Sequence, residues 1–374
     1  MGAPIVRERT QSQGENAVFI ALNMQDSLFP DEARSLSPSA PTAPAVAAAP
    51  APRPVRGASI AAQPVEPDVQ ALADALPPQV RLGTSTWSYP GWAGIVWDGV
   101  YAESRLAKDG LTAYARHPLL RTVCVDRAFY RPISASQYAR MAAMVPPDFR
   151  FVVKTPSLVT DALVRGEEGR GRKPNPAFLN PELAVHEFVR PALEGLGTKV
   201  GALVFQLSPL PLTLLARRDE VLDRIAAMLR ALPALRPEAP DGVIALEVRD
   251  PELLIPALAT LLRDVGATYC LGLHPKLPPI ADQLPMLRAL WPGPLVCRWN
   301  VNRRHGAYGY EDAEALYSPF DKMVHPDLDI RAALARVVAG TARAGQNVYV
   351  TISNKAEGSA PLSVRALAEQ LQAR

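Results

Sequence analysis

The sequence predicts a TIM (β/α)8 barrel preceded by a disordered tail rich in alanine and proline, and three observations support this fold class. Short apolar segments alternate with segments of helical spacing, eight of each, over a length typical of such barrels. The apolar segments are apolar throughout, as in parallel strands buried on both faces. Most of them end in polar side chains, where α/β barrels keep their chemistry. A doubly wound sheet is the alternative, but no Gly-x-Gly-x-x-Gly follows an early strand.

The predicted tail covers residues 1–77 and is rich in Ala, Pro and Ser from residue 35 onward. Such a composition indicates an extended linker with little to bury. Ahead of it, Gln25-Asp-Ser-Leu28-Phe29 resembles the peptide by which many bacterial replication and repair proteins dock on the sliding clamp. Leu28 and Phe29 would be apolar anchors, and the Gln25 amide would fix the register. A chance match, or a short helix that packs on the barrel, is the alternative.

The predicted barrel domain spans residues 78–374, and Val243–Asp250 is its clearest strand because charges follow an apolar run. In order, the predicted strands are 80–87, 122–129, 149–155, 200–207, 243–250, 267–274, 295–300 and 347–354. The predicted helices are 104–117, 134–145, one from about 182, 217–232, 252–264, 280–290, 330–344 and 359–372. Ser134 or Ser136 suits the cap of the second helix.

Composition narrows the class of protein further. Hydrophobic residues make up 48% and charged residues 21%, as in a soluble globular enzyme, and the net charge of +3 is too small to indicate nucleic-acid binding by itself. Three cysteines in apolar runs, Cys124, Cys270 and Cys297, favour reduced core residues over a disulfide framework. No apolar stretch is long enough to span a bilayer and no signal peptide is evident. We therefore expect a cytoplasmic protein with no membrane partner.

Polar side chains at the strand ends form the candidate site. They are Asp126, Lys154, Gln206, Glu247, His274, Arg298 with Asn300, and Asn354. In a barrel these ends converge on one mouth, which favours a site for the set even though any one residue could be a solvated strand end.

Individual roles stay open at this stage. Glu247 is the best general acid or base, because low-dielectric barrel walls can raise its pKa, and the alternative is a simple ion pair with Arg249. Lys154 would be a Schiff-base nucleophile if its pKa were depressed, but a fixed cation is favoured since no desolvation or neighbouring cation is evident. His274 suits a proton relay or a structural hydrogen bond. Asp126, Glu247 and His274 have metal-binding chemistry, but without clustered histidines we predict no metal.

The last two loops suggest an anion site. Barrels often hold phosphate there against a helix amino terminus. Gly358 allows close backbone approach, Ser359 suits a helix cap, and Lys355 and Arg303 add positive charge. An ordinary capped helix under a solvated basic loop is the alternative. Basic residues at 164–173 and the aromatic residues of loop seven, Tyr308, Tyr310, Tyr317 and Phe320, suit either stacking on bases or a lid.

The chain also resembles a known family. The carrying motifs are Gly83-Thr-Ser-x-Trp87-x-Tyr89 with Trp92, Phe129-Tyr-Arg-Pro132, Phe149-x-Phe-x-x-Lys154, Phe205-Gln-Leu207, Glu247-x-Arg249 and Asn354-Lys-Ala-Glu-Gly-Ser-Ala-Pro361. In this order they resemble the YecE-like family, a domain-of-unknown-function group (72), over roughly residues 80 to 372. The resemblance implies a TIM barrel and no known reaction. Many relatives have Glu at the position of Cys124 and Asn at that of Asp126, which puts catalysis by the second strand in doubt.

The sequence therefore predicts an enzyme that acts on a small anionic substrate, phosphate-bearing or derived from nucleic acid, by general acid/base chemistry. A hydrolase or lyase is favoured, and no cofactor follows from the sequence. Glu247 would transfer protons, with Lys154, Arg249 and Arg298 as electrostatic stabilisers. One alternative is a DNA-maintenance accessory protein that binds single-stranded nucleic acid and is tethered to the clamp. The other is a barrel scaffold without catalysis.

Overall fold

A computed structural model of the chain describes residues 59–165 and 171–373. Its strands are β1 Val80–Thr84, β2 Thr122–Val125, β3 Arg150–Lys154, β4 Leu163–Arg165, β5 Gly171–Pro174, β6 Val200–Gln206, β7 Val243–Glu247, β8 Thr268–Leu273, β9 Leu295–Trp299 and β10 Val348–Ile352. Its α-helices are α1 Pro67–Ala75, α2 Glu103–Asp109, α3 Leu111–Tyr114, α4 Ala135–Ala143, α5 Ser157–Thr160, α6 Pro181–Ala184, α7 Arg190–Leu196, α8 Leu212–Leu215, α9 Arg218–Arg230, α10 Pro256–Asp264, α11 Ile280–Ala289, α12 Tyr310–Tyr317, α13 Leu328–Arg343, α14 Asn354–Glu357 and α15 Ala360–Gln372.

The sheet is a closed parallel barrel in the order β1-β10-β9-β8-β7-β6-β3-β2. This confirms the predicted TIM barrel. The strands β4 and β5 lie outside it as an antiparallel hairpin in the loop after β3. Closure leaves no edge strand in the barrel, and it brings the carboxyl ends of the strands together at one mouth.

Alternation along each strand divides the core into two layers. The outward-facing side chains, such as Leu82, Phe205 and Leu246, join the large cluster that packs under the helices. The inward-facing side chains fill the barrel as a second cluster, composed of Cys124, Val152, Ala202, Val204, Ala245, Cys270, Val296 and Tyr349. All three cysteines are buried and free, as predicted. A strand buried on both faces explains why these segments read as continuous apolar runs.

Some of the predicted elements match the structure, and others differ in their extent. Ser134 caps α4 in a capping box with Gln137, as predicted. The single helix predicted for residues 104–117 is instead α2 and α3, which meet at Gly110. The second strand stops at Val125, because Asp126 begins a short 3-10 helix that ends at Phe129.

The start of the folded domain also differs from the prediction. Residues 67–75, which we expected within the linker, form α1. Pro67 lies in its first turn, and Val69 and Leu72 are buried in the outer core cluster. The apolar spacing of this short segment is enough to pack it against α15. The Gln25–Phe29 motif lies outside the described residues.

Candidate active site at the barrel mouth

Six of the predicted site residues meet at the carboxyl ends of the strands. We call them the mouth cluster: Asp126, Lys154, Gln206, Glu247, Arg249 and Arg298. Lys154 ends β3, Gln206 ends β6, Glu247 ends β7, and Arg298 is the penultimate residue of β9. Inward-facing positions at equivalent heights of a barrel form a layer, so this convergence follows from the strand register.

Glu247 is the centre of the mouth cluster and is fully buried at 0% exposure. Arg249 Nη2 lies 2.8 Å from its Oε1, and Arg298 Nη1 lies 2.5 Å from its Oε2. Burial alone would raise the pKa of Glu247, but the two guanidinium groups outweigh it and lower the pKa to about 2. The expectation of a raised pKa is therefore wrong. Near neutral pH Glu247 is ionised and is a poor proton donor.

Gln206 and Asp126 extend the ion pair into a network. The Gln206 Oε1 accepts from Arg249 Nη2 at 3.1 Å and from Arg298 Nη1 at 2.9 Å. Asp126 Oδ1 accepts from Arg298 Nη2 at 2.6 Å and from the Cys124 thiol at 3.3 Å. Arg298 is thus held in one orientation by three side chains. Its guanidinium keeps its proton, because Asp126 and Glu247 raise its pKa against the effect of burial.

The network leaves cationic nitrogen atoms without partners. Arg249 Nη1 and Arg298 Nε are buried and donate no hydrogen bond within the part of the chain that the structure describes. A buried donor without a partner costs stability, and an anion bound beside Glu247 would satisfy these two nitrogen atoms. Asn300 lies beside them, with its Nδ2 3.5 Å from Glu247 Oε1 and 3.2 Å from the Arg298 carbonyl.

Lys154 differs from the other cations of the mouth cluster. It is 9% exposed, and its Nζ lies 3.5 Å from the centroid of the Phe129 ring. Burial lowers its pKa to about 8, and Arg298 and Arg249 also lower the pKa whereas Asp126 raises it. Both conditions for a depressed lysine, desolvation and neighbouring cations, are therefore met. Phe129 was not predicted as a site residue, because only the fold brings its ring under β3.

His274 is close to the cluster but is held neutral. Its pKa is lowered to about 3, mainly by burial and then by the charge of Arg249. The ring Nδ1 accepts from the Lys276 backbone N–H at 3.1 Å. Since it does not titrate near neutrality, these contacts favour the structural role over the proton relay.

The predicted anion site of loop eight is partly filled by the chain itself, although Asn354 Nδ2 and Ser359 Oγ are buried without a hydrogen-bond partner in the described chain. Asn354 Oδ1 accepts from Trp92 Nε1 at 3.2 Å and from the Ala360 N–H at 2.8 Å. Gly358, at a φ of 120°, lies against the backbone of residues 322–324, and Ser359 is fully buried. The Gly358 N–H donates to the Asn354 carbonyl. These groups do not join the mouth cluster, because loop seven covers them.

The basic residues of the same loops have partners elsewhere. Lys355 forms an ion pair with Glu314 of α12, and that carboxylate was not predicted because it is distant in sequence. Arg303 is exposed, and its Nη1 donates to the Leu277 carbonyl at 2.7 Å. Asn302 joins loops seven and eight by donating to the Ala356 carbonyl at 2.8 Å. Neither basic residue is held beside Glu247.

Two cavities contrast in size and position. The cavity at the mouth, beside Trp87, Cys124 and Asp126, has about 10 Å³, room for about one water molecule. A cavity of about 410 Å³ lies at the opposite end of the barrel, between α11 and α13, and contains no residue of the mouth cluster. The charged groups of the mouth cluster do not line the larger cavity. A ligand larger than a water molecule therefore requires side chains or loops at the mouth to move.

Within residues 59–165 and 171–373, no group of three or more His, Cys, Asp or Glu side chains is arranged to hold a metal ion. The longest helices described are too short or too polar to cross a bilayer.

Comparison with known proteins identifies the family. A family model described as "Protein of unknown function DUF72" matches residues 81–374. The chain belongs to the DUF72 family. This is the YecE-like group that the sequence motifs resembled, and the match covers the whole barrel. No functionally curated protein matches the chain.

Solved structures of DUF72 proteins are similar to this chain. The DUF72 family protein from Enterococcus faecalis is 18% identical, with a TM-score of 0.50, over 78% of this chain and 95% of that one. The DUF72 family protein from Thermotoga maritima is 19% identical, with a TM-score of 0.47, over 78% of this chain and 99% of that one. At such identity the Enterococcus faecalis structure supports the fold and nothing about the reaction.

Proposed function

We propose that this DUF72 protein is an enzyme acting on a small anionic substrate at the barrel mouth. The observation that carries the proposal is the pair of cationic nitrogen atoms, Arg249 Nη1 and Arg298 Nε, that lack a hydrogen-bond partner in the described chain around an ionised Glu247. Enzymes of this fold place their substrates at the carboxyl ends of the strands. Fold alone does not determine function, so the argument rests on the charges and the hydrogen bonds of the mouth cluster.

The charge balance of the mouth cluster favours an anion. Two carboxylates, Asp126 and Glu247, face two guanidinium groups, Arg249 and Arg298, and these four charges cancel. Protonated Lys154 adds one positive charge, and its Nζ makes no hydrogen bond or ion pair with any other described residue. A buried charge is stabilised by a partner of opposite sign. A substrate carboxylate or phosphate would supply that partner.

Glu247 and Lys154 take different roles from those expected. Glu247, with a pKa of about 2, fixes Arg249 and Arg298 in orientation and is a positioning residue. Arg249 would bind the substrate anion through its unbonded Nη1, since guanidinium groups pair with carboxylate and phosphate. Lys154 would be the reactive group, because its pKa of about 8 leaves a fraction of neutral amine near neutrality.

Binding of simple anions tests the proposal. Titration calorimetry with phosphate, pyruvate and glycerol 3-phosphate should detect binding to the full chain. Arg249→Met should weaken it about tenfold or more, as expected for the loss of a charge-assisted hydrogen bond. Arg288→Met removes an exposed arginine at the other end of the barrel and is the matched control. Absence of binding across the panel, or equal loss in both variants, would contradict the proposal.

The tethered accessory protein predicted from the sequence has no further support, because Gln25, Leu28 and Phe29 lie outside the described residues. Its own test is clamp binding by the full chain. The double change Leu28→Ala with Phe29→Ala should abolish that binding if the motif is used.

A further inference from the structure

Lys154 is buried, and its environment differs from those of two half-buried lysines of the described chain, Lys199 and Lys355. Lys199 donates to the carbonyls of Ala142 and Val145, both at 2.6 Å. Lys355 pairs with the Glu314 carboxylate. Lys154 instead has the face of the Phe129 ring at 3.5 Å and no hydrogen-bonding oxygen atom. The face of an aromatic ring stabilises an ammonium group less than a carboxylate does. Less free energy is therefore needed to deprotonate Lys154 than to deprotonate a lysine paired with a carboxylate.

The surroundings also fit a nucleophile better than an electrostatic clamp. Arg249 and Arg298 already provide fixed positive charge beside Glu247, each with a guanidinium held by hydrogen bonds. A third cation with no hydrogen-bond acceptor adds little orientation, because nothing fixes its direction. A lysine kept in a desolvated position beside other cations is the arrangement that activates an amine for attack on a carbonyl.

We propose that Lys154 forms a Schiff base with an aldehyde or ketone that carries a carboxylate or phosphate group. This rests on the proposed function, and it adds the reacting atom and the substrate class. The anionic group would lie at Arg249, and the carbonyl carbon would lie at the Lys154 Nζ. The cluster would thus hold a substrate of one or two negative charges with its electrophilic carbon over Phe129.

The chemistry balances without any further reactant. The neutral Lys154 amine donates its electron pair to the carbonyl carbon, and the carbonyl π electrons move to oxygen. The nitrogen loses a proton and the oxygen gains one, which gives a carbinolamine. After protonation of its hydroxyl group, the carbinolamine loses water as the nitrogen lone pair forms the C=N bond. Water supplies and accepts these protons, because it reaches the neighbouring Asp126 side chain, which is 26% exposed.

Reductive trapping tests the proposal on the full chain. The protein is incubated with pyruvate or with glycolaldehyde phosphate, which separates a carboxylate from a phosphate requirement, and sodium cyanoborohydride is added. Peptide mapping by mass spectrometry then locates the reduced adduct. We expect the adduct on Lys154 with at least one of the two compounds, and at least tenfold more of it than on exposed Lys108. Lys199, which is half-buried, is an internal control in the same digest.

One variant and two ligands without a carbonyl group serve as controls for the trapping experiment. Lys154→Arg keeps a cation but has no amine to form a Schiff base, so the adduct should disappear. Calorimetry with lactate and glycerol 3-phosphate, which have no carbonyl group, reports anion binding alone. If these anions bind but Lys154 is never labelled, the Schiff base is wrong and the proposed function stands. If nothing binds and nothing is trapped, both are wrong.

Adducts spread over Lys108 and other exposed lysines, without enrichment at Lys154, would be adventitious glycation and would also overturn the proposal. Mapping of the unaltered protein decides this point even if Lys154→Arg fails to fold. The outcome therefore does not depend on the variant.

Discussion

The two ends of the barrel both contain arginine–carboxylate pairs, but only one end leaves them incomplete. At the amino-terminal end, Arg81, Arg150, Asp241 and Asn347 form what we call the floor cluster. Asp241 Oδ2 accepts from Arg150 Nη2 at 2.8 Å and from Arg81 Nη2 at 3.2 Å, and Asn347 Oδ1 accepts from Arg81 Nη1 at 3.1 Å. Tyr349, in the barrel interior, donates its hydroxyl proton to the Asp241 carbonyl at 2.9 Å.

The contrast lies in hydrogen-bond satisfaction. No buried side-chain nitrogen or oxygen atom of the floor cluster lacks a partner in the described chain, whereas Arg249 Nη1 and Arg298 Nε of the mouth cluster do. The floor cluster therefore has the properties of a structural closure, and the mouth cluster has those of a site that awaits a ligand. This agrees with the general division of labour in TIM barrels, stability at the amino-terminal end and chemistry at the carboxyl end.

The largest effect is expected for Glu247→Gln. It leaves Arg249 and Arg298 buried beside a neutral amide, so we expect the free energy of unfolding to fall by about 3 to 5 kcal/mol. Chemical denaturation followed by circular dichroism measures this change. A loss of less than about 1 kcal/mol would mean that the pairing is not structural, and the comparison with the floor cluster would fail.

Lys154→Met should act in the opposite direction and stabilise the protein. The pKa of Lys154 falls from its ordinary value of 10.5 to about 8 on folding, so a protonated Lys154 costs about 3 kcal/mol at neutral pH. This cost disappears as the pH rises from about 8 to about 10.5, because the unfolded state then also loses its proton.

Unfolding of the parent and of Lys154→Met at several pH values checks this. The stability difference between them should shrink over that interval. Lys199→Met is the matched control and should destabilise, because it breaks two hydrogen bonds. Destabilisation by Lys154→Met at neutral pH would contradict the idea of a functional group maintained at a cost in stability.

Asp241→Asn tests the floor cluster. We expect a loss of about 1 to 2 kcal/mol, less than for Glu247→Gln, because the Asp241 side chain is 29% exposed and solvent stabilises the arginines that remain. Anion binding should stay unchanged. Thermal unfolding with and without phosphate measures both quantities. If phosphate no longer stabilised Asp241→Asn, the floor cluster would contribute to anion binding, which would contradict its assignment as purely structural.

Lys355→Met should have the smallest effect. Its ion pair with Glu314 is partly exposed, so we expect less than about 1 kcal/mol of destabilisation. Anion affinity should change by less than about threefold, since loop eight does not join the mouth cluster. If Lys355→Met weakened anion binding more than Arg249→Met does, the result would support the anion site predicted for loop eight.

The barrel and most of the candidate site could be predicted from the pattern of residues along the chain. Strands buried on both faces must be continuously apolar, and parallel strands bring their carboxyl ends to one mouth, so Lys154, Gln206, Glu247 and Arg298 could be assembled from pattern alone. Helix caps such as Ser134 depend on residues that are close in sequence, so they could also be predicted.

The protonation of the site and the members of its network depend on contacts between residues that are distant in sequence, so they could not be predicted in the same way. Glu247 pairs with Arg298, which is 51 residues away, and Asp126 pairs with the same arginine across 172 residues. Whether burial or a neighbouring charge controls a pKa depends on such distances, and these opposing effects reversed the expected pKa shift of Glu247 and depressed that of Lys154. Spacing along the chain specifies which way a side chain points but not which charge it meets.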